Sequence, residues 1–133
     1  MTTTLPTIPL SAAQAIADHS QAADVNPIEQ AKLYKLIVDA GYSPTEVTHM
    51  VGKKHVPAIT ERIALLDLTA ANQARVADGT LPVGLAWYIA RLSRDGQGYM
   101  TVRWTRGEFT DIRDAELAAR ALFVEETAAE YAG

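Results

Sequence analysis

Residues 43–66 read SPTEVTHMVGKKHVPAITERIALL. Ser43-Pro44-Thr45-Glu46 is a helix start: the serine accepts a backbone N–H, proline suits the first helical turn, and the glutamate reaches back to the cap. Val47, Met50 and Val51 then share one side, and Gly52 stops the helix. Pro57 opens a second helix whose Ile59, Ile63 and Leu66 recur at i, i+4 and i+7. Two short helices locked by one apolar core, joined through a residue that tolerates positive φ, make a helix-turn-helix pattern. In that motif the second helix projects its N-terminal residues into the major groove. Here that end offers Lys53, Lys54 and His55, while Thr60, Glu61 and Ala64 lie opposite the apolar stripe. The same two-helix pattern also occurs in helical bundles that read no DNA. The local charge of 53–62, Lys53, Lys54 and Arg62 against Glu61, weighs toward an anionic partner.

Similar punctuation runs outward in both directions. Asn26-Pro27-Ile28-Glu29 is another capped start, and Ser11-Ala12-Ala13-Gln14 reads as a capping box without proline. Glycines 41, 52, 79 and 107 each follow a periodic stretch. The spacing predicts helices at about 11–19, 27–40, 44–51, 57–67, 70–78, 82–94, 96–106 and 111–131. Tyr99–Trp104 has strand-like content, but a lone strand has no partner, so helix is preferred. The expected fold class is all-α: a multi-helix bundle containing a helix-turn-helix at about 44–67. Residues 1–10 are expected to be a flexible lead, and 11–133 a single helical domain ending in a helix at about 111–131.

A chain of 133 residues without cysteine excludes a disulfide scaffold, a thiolate metal site and a cysteine nucleophile. No apolar run approaches the ~18 residues of a membrane span. The first ten residues lack a basic n-region, so a cytoplasmic location is expected. The net charge of −4 is the wrong sign for a nucleic-acid binder, but it is unevenly spread. Residues 1–52 sum to −3 and 114–133 to −4, while 53–113 hold nine basic residues against six acidic. An anionic partner is therefore expected to dock on the middle of the chain.

Five segments, in order, resemble the ParB/KorB family. Asp24-Val25-Asn26-Pro27-Ile28-Glu29-Gln30-Ala31 resembles the box that opens that family's central DNA-binding domain. Gly41–Val47 with Val51-Gly52-Lys53 resembles its helix-turn-helix, and Ile63–Leu68 its leucine-rich exit. Gly79–Ala86 resembles the start of a following helix, and Gln97 fits its end. The resemblance spans about residues 24–98 and implies an all-helical, site-specific DNA-binding domain. There are departures. Where the family carries a Glu-Asn-x-x-Arg type motif of its nucleotide-binding domain, this chain has Asp18, His19 and Ala22, so no CTP binding is expected. Between Gly52 and Ile59 there is one residue more than usual, with Pro57 inside the insertion, so the reading helix is expected to start later or turn a different face. After residue 98 the family's next segment is not recognisable, and its separate dimerisation domain is not expected here.

The candidate DNA-binding residues are Ser43, Thr45, Lys53, Lys54, His55, Thr60, Glu61 and Arg62. Lysines suit phosphate or guanine, and Glu61 can accept from cytosine N4. Several have a plainer reading: helix caps for Ser43 and His55, solvated charge for Lys53, Lys54 and Glu61. Arg91, Arg94, Arg103 and Arg106 would extend a basic surface or simply be solvated. His19, His49 and His55 have no carboxylate at ligand spacing, and no phosphate loop is present, so no catalytic residue, metal or cofactor is expected. Trp87, Tyr88 and Trp104 read as core. In the last helix Leu117, Ala121, Val124, Ala128 and Tyr131, widened by Ala118 and Leu122, form a stripe that must be covered by the domain or by a second copy; Glu125, Glu126 and Glu130 would face solvent. The expected partners are double-stranded DNA, as a palindromic site, and a homodimer mate through this helix. The expected role is a transcriptional repressor or a plasmid or phage partition factor. The alternative is a helical protein–protein module that has lost DNA binding.

Overall fold

The computed structural model describes residues 5–132, with side chains through Glu130. These residues form eight α-helices and one short 3-10 turn, and among them there is no strand. The helices are α1 (Leu10–Ser20), α2 (Pro27–Asp39), α3 (Pro44–Met50), α4 (Pro57–Ala64), α5 (Ala70–Ala77), α6 (Val83–Ala90), α7 (Arg94–Thr105) and α8 (Ile112–Ala132), with the 3-10 turn at Leu65–Asp67 between α4 and α5. The all-α class read from the sequence is what the chain adopts. Between Ile63 and Ala64 the contacts divide the chain into two compact units, where one domain over 11–133 was expected.

The first unit packs α1, α2 and α3 against one another. Its core is Ala13, Ala17, Tyr34, Ile37, Ala40, Tyr42, Val47 and Ile59, with Met50, Val51 and Ile63 half-buried against it. Polar ties hold the helix ends in place. The Gln21 amide donates to the Tyr34 hydroxyl at 2.9 Å, and the Gln30 amide donates to the Ser20 carbonyl at 2.9 Å. The supposed lead is partly docked. The Thr7 N–H donates to the Ala40 carbonyl at 2.7 Å, and the Tyr42 hydroxyl donates to the Ile8 carbonyl at 2.9 Å. Residues 1–4 of that lead lie outside the described residues.

In the second unit α6, apolar on nearly all sides, packs against α7, α8 and the 3-10 turn. Leu65, Leu81, Leu85, Ile89, Met100, Ala115 and Ala119 are fully or almost fully buried here. Gln97, only 3% exposed, has its whole amide satisfied. It donates to the Asp67 and Leu92 carbonyls at 3.1 and 3.3 Å and accepts from the Thr69 N–H at 2.9 Å. One buried side chain thereby fixes the join between the 3-10 turn and α5 onto α7. A buried polar group is stable only when its partners are supplied in this way.

Four details differ from expectation. Helix 57–67 tightens after Ala64 into the 3-10 turn. The expected helix 82–94 ends at Ala90, because Ser93 takes an extended ψ of 164° and its hydroxyl accepts from the Gly96 N–H at 3.0 Å, starting α7 two residues early. Ser11 caps nothing. Pro9 is extended, its carbonyl accepts from the Ala12 and Ala13 N–H groups at 3.0 Å, and Ser11 falls inside α1. Trp87, Tyr88 and Trp104 are half-buried rather than core. Trp87 and Tyr88 meet edge to face at 4.8 Å, and the Trp104 indole N–H donates to the Thr80 carbonyl at 3.1 Å.

A candidate nucleic-acid interface

The geometry begins at Ser43. Its hydroxyl accepts from the Glu46 N–H at 3.1 Å, and the Glu46 carboxylate accepts from the Ser43 N–H at 3.0 Å, so the box read from the sequence is complete. At the other end of α3, the Gly52 N–H donates to the His49 carbonyl at 3.3 Å and the Lys53 N–H to the Thr48 carbonyl at 3.0 Å. This is a Schellman close, which needs a left-handed residue at its centre, and Gly52 supplies it with φ at +72°. Thr48 is buried and its hydroxyl donates to the Pro44 carbonyl at 2.8 Å. A further tie, invisible in the sequence pattern, comes from α1, where the Gln14 amide donates to the Met50 carbonyl at 2.9 Å. The capping-box reading gives Gln14 a different role. Its position one helical turn before Asp18, to which the same amide donates at 2.9 Å, carries no hint of a contact with α3.

Lys53, Lys54 and His55, which follow this closed helix end, are exposed. The extra residue of the turn is absorbed before α4, which starts at Pro57 with the Val56 carbonyl accepting from the Ile59 and Thr60 N–H groups at 2.9 and 3.2 Å. Ile59 is fully buried and Ile63 half-buried, which turns Pro57, Thr60 and Glu61 outward. Lys53, Lys54, His55, Thr60 and Glu61 thus share one exposed stretch running from the turn onto the helix. Among the described residues neither lysine has an ion-pair partner.

The other candidates lie elsewhere. Arg62 is half-buried, on the flank of α4 beside the Ile59–Ile63 stripe. Ser43 and Thr45 are exposed but sit at the far end of α3, about 10 Å from the turn for seven residues, and the Ser43 hydroxyl is already committed to its cap. Of the four candidate arginines Arg91, Arg94, Arg103 and Arg106, two are held by aromatic faces. Arg91 lies 4.1 Å from the Phe123 ring centre and 5.2 Å from that of Trp87, and Arg103 lies 4.5 Å from that of Phe109. Arg94 and Arg106 are exposed. Among the described residues there is no cluster of three metal-ligand side chains, and no helix is long and apolar enough to cross a membrane.

A short capped helix, a glycine close and a second helix whose outer side is polar define an all-helical protein of the helix-turn-helix class. Comparison with known proteins makes this specific. Residues 23–123 match the ParB HTH domain, and the chain belongs to that family. The match runs past residue 98, where the resemblance legible in the sequence ends. The chromosome-partitioning protein ParB of Myxococcus xanthus is 30% identical over 103 residues, 77% of this chain, and the chain spans 34% of that protein's length. Two solved structures share the fold. One is a DNA-binding domain of the chromosome-partitioning protein ParB complexed to the centromeric parS site, with TM-score 0.70, 24% identity, and 85% of this chain and 91% of that one covered. The other is the C-terminally truncated ParB of Caulobacter crescentus, also complexed to parS, with TM-score 0.71, 24% identity, and 83% and 55% covered.

Proposed function

We propose that the chain binds a specific double-stranded DNA site through the turn and the outer side of α4, and that it serves as a partition-type factor or a transcriptional repressor on bacterial chromosomal, plasmid or phage DNA in the cytoplasm. The observation that carries this reading is the exposed run Lys53, Lys54, His55, Thr60 and Glu61 on a helix-turn-helix whose first helix is capped at both ends. Family membership and the parS complexes of its structural relatives support it. Lys53 and Lys54 supply phosphate contacts that set the register, while Thr60 and Glu61 face base edges. Arg62 approaches the backbone from the flank of α4, and Ser43 and Thr45 meet phosphate only if the duplex also passes the start of α3. The work is positioning and binding, with no chemical step. Two copies read the two halves of a palindromic site.

Selection of bound duplexes from a randomised pool tests this. One enriched, two-fold symmetric sequence is the expected result, and a pool that stays random refutes the reading. The overall charge of −4 favours a second reading, a protein-binding module on the same scaffold, for which DNA titrations stay flat even at low salt.

A further inference from the structure

The apolar stripe of the last helix faces solvent. Leu117 is 47% and Val124 64% exposed, and Ala121 and Ala128 between and after them are exposed as well. The opposite side of α8 is the one that packs. Ala115 and Ala119 are fully buried, and the Glu126 carboxylate, expected to face solvent, accepts from the Ser93 N–H at 2.8 Å and from the Ser93 hydroxyl at the start of α7. A Cβ at Gly96 would stand 2.5 Å from that carboxylate, so glycine is what lets it approach. The helix is therefore anchored on the side of Ala115, Ala119 and Glu126, with Leu122 and Phe123 half-buried beside them, and turns Leu117 and Val124 outward.

At 100° per residue Leu117, Ala121, Val124 and Ala128 fall within a sector about 60° wide. Arg113 and Arg120 line one edge of this sector and Glu125 the other. Among the described residues none of these three has an ion-pair partner within the chain. We propose that α8 pairs with α8 of a second copy of this chain, the two helices running in the same direction. In a parallel two-fold pair, the basic edge of each helix lies beside the acidic edge of its mate, which places Arg120 of one copy next to Glu125 of the other. An antiparallel pair sets the two arginine edges against each other. Ala121 and Ala128 let the axes come close, while Leu117 and Val124 interdigitate across the seam. A face with one basic and one acidic edge complements its own copy, whereas a uniformly anionic duplex would be repelled at Glu125. The contact is short, so assembly is weak and concentration-dependent. The pairing extends the two-copy reading of the DNA site, and is measured without DNA so that the two stand or fall separately.

Sedimentation equilibrium of the whole chain tests it. The expected result is a monomer–dimer equilibrium that Val124→Glu abolishes while the helical circular dichroism and melting temperature stay as they were. Arg120→Glu and Glu125→Arg each weaken the dimer several-fold, and the double reversal restores it. The chain has no native cysteine, so Val124→Cys forms a disulfide-linked dimer on mild oxidation only if the two copies of that residue meet. A monomer at every concentration, or a dimer indifferent to Val124→Glu, overturns the proposal. A dimer strengthened by Arg120→Glu, or a double reversal that fails to restore it, overturns the parallel arrangement.

Discussion

Two helices of this chain carry an apolar stripe at helical spacing, and they use it in opposite ways. In α4, Ile59 and Ile63 turn inward onto the core shared with α3, leaving polar side chains outside. In α8, the comparable stripe of Leu117 and Val124 faces solvent, and Ala115 and Ala119 take the innermost positions with Leu122 and Phe123 half-buried beside them. Periodicity establishes that a helix has an apolar side; it does not say that this side is the one covered within the chain. Where a helix has two apolar sides, the smaller residues can win the inner place because they allow close approach to a neighbour. Anchoring by Glu126 at Ser93 then fixes the rotation.

That contrast can be broken most forcefully at Ile59. Ile59→Ala removes a fully buried side chain and should cost about 2–5 kcal/mol, whereas Val124→Ala should stay within about 0.5 kcal/mol, both read by chemical denaturation. Equal costs would mean that the two stripes are not differently placed. A smaller effect is expected at the join of the helix-turn-helix. Gly52→Ala meets no atom within 4 Å but must hold φ at +72°, so it should lose about 1–2 kcal/mol through backbone strain alone. Smaller still, Glu126→Ala removes the charged partner of Ser93 from an exposed site and should lose about 1 kcal/mol, with α7 fraying first in amide exchange. No loss there would leave the rotation of α8 without its anchor.

Much of this architecture is legible in the amino-acid sequence, because proline and glycine mark helix boundaries by covalent geometry rather than by packing. Pro27, Pro44 and Pro57 open helices as expected, and Gly41, Gly52, Gly79 and Gly107 all take positive φ. The break after Ala90 is hidden, since Arg91-Leu92-Ser93 continues a helical pattern and only the Ser93 cap ends it. The role of Gln14 is equally hidden, because its partner, the Met50 carbonyl, is 36 residues away. The charge of the turn is plain from Lys53 and Lys54. The withdrawal of Arg62 to the flank of α4 is not, because it depends on how Ile59 and Ile63 seat the helix.

If the exposed turn before α4 holds duplex DNA, its two lysines must carry a measurable share of the binding. Fluorescence anisotropy on the selected duplex, with wild-type protein and Lys53→Ala/Lys54→Ala compared across salt concentrations, tests this most directly. Wild-type affinity should fall steeply with salt. The double variant should melt unchanged yet bind more weakly, with a log–log salt slope shallower by about 2, one for each lost phosphate contact. Identical affinity and identical slope for the two proteins would contradict DNA binding through this turn.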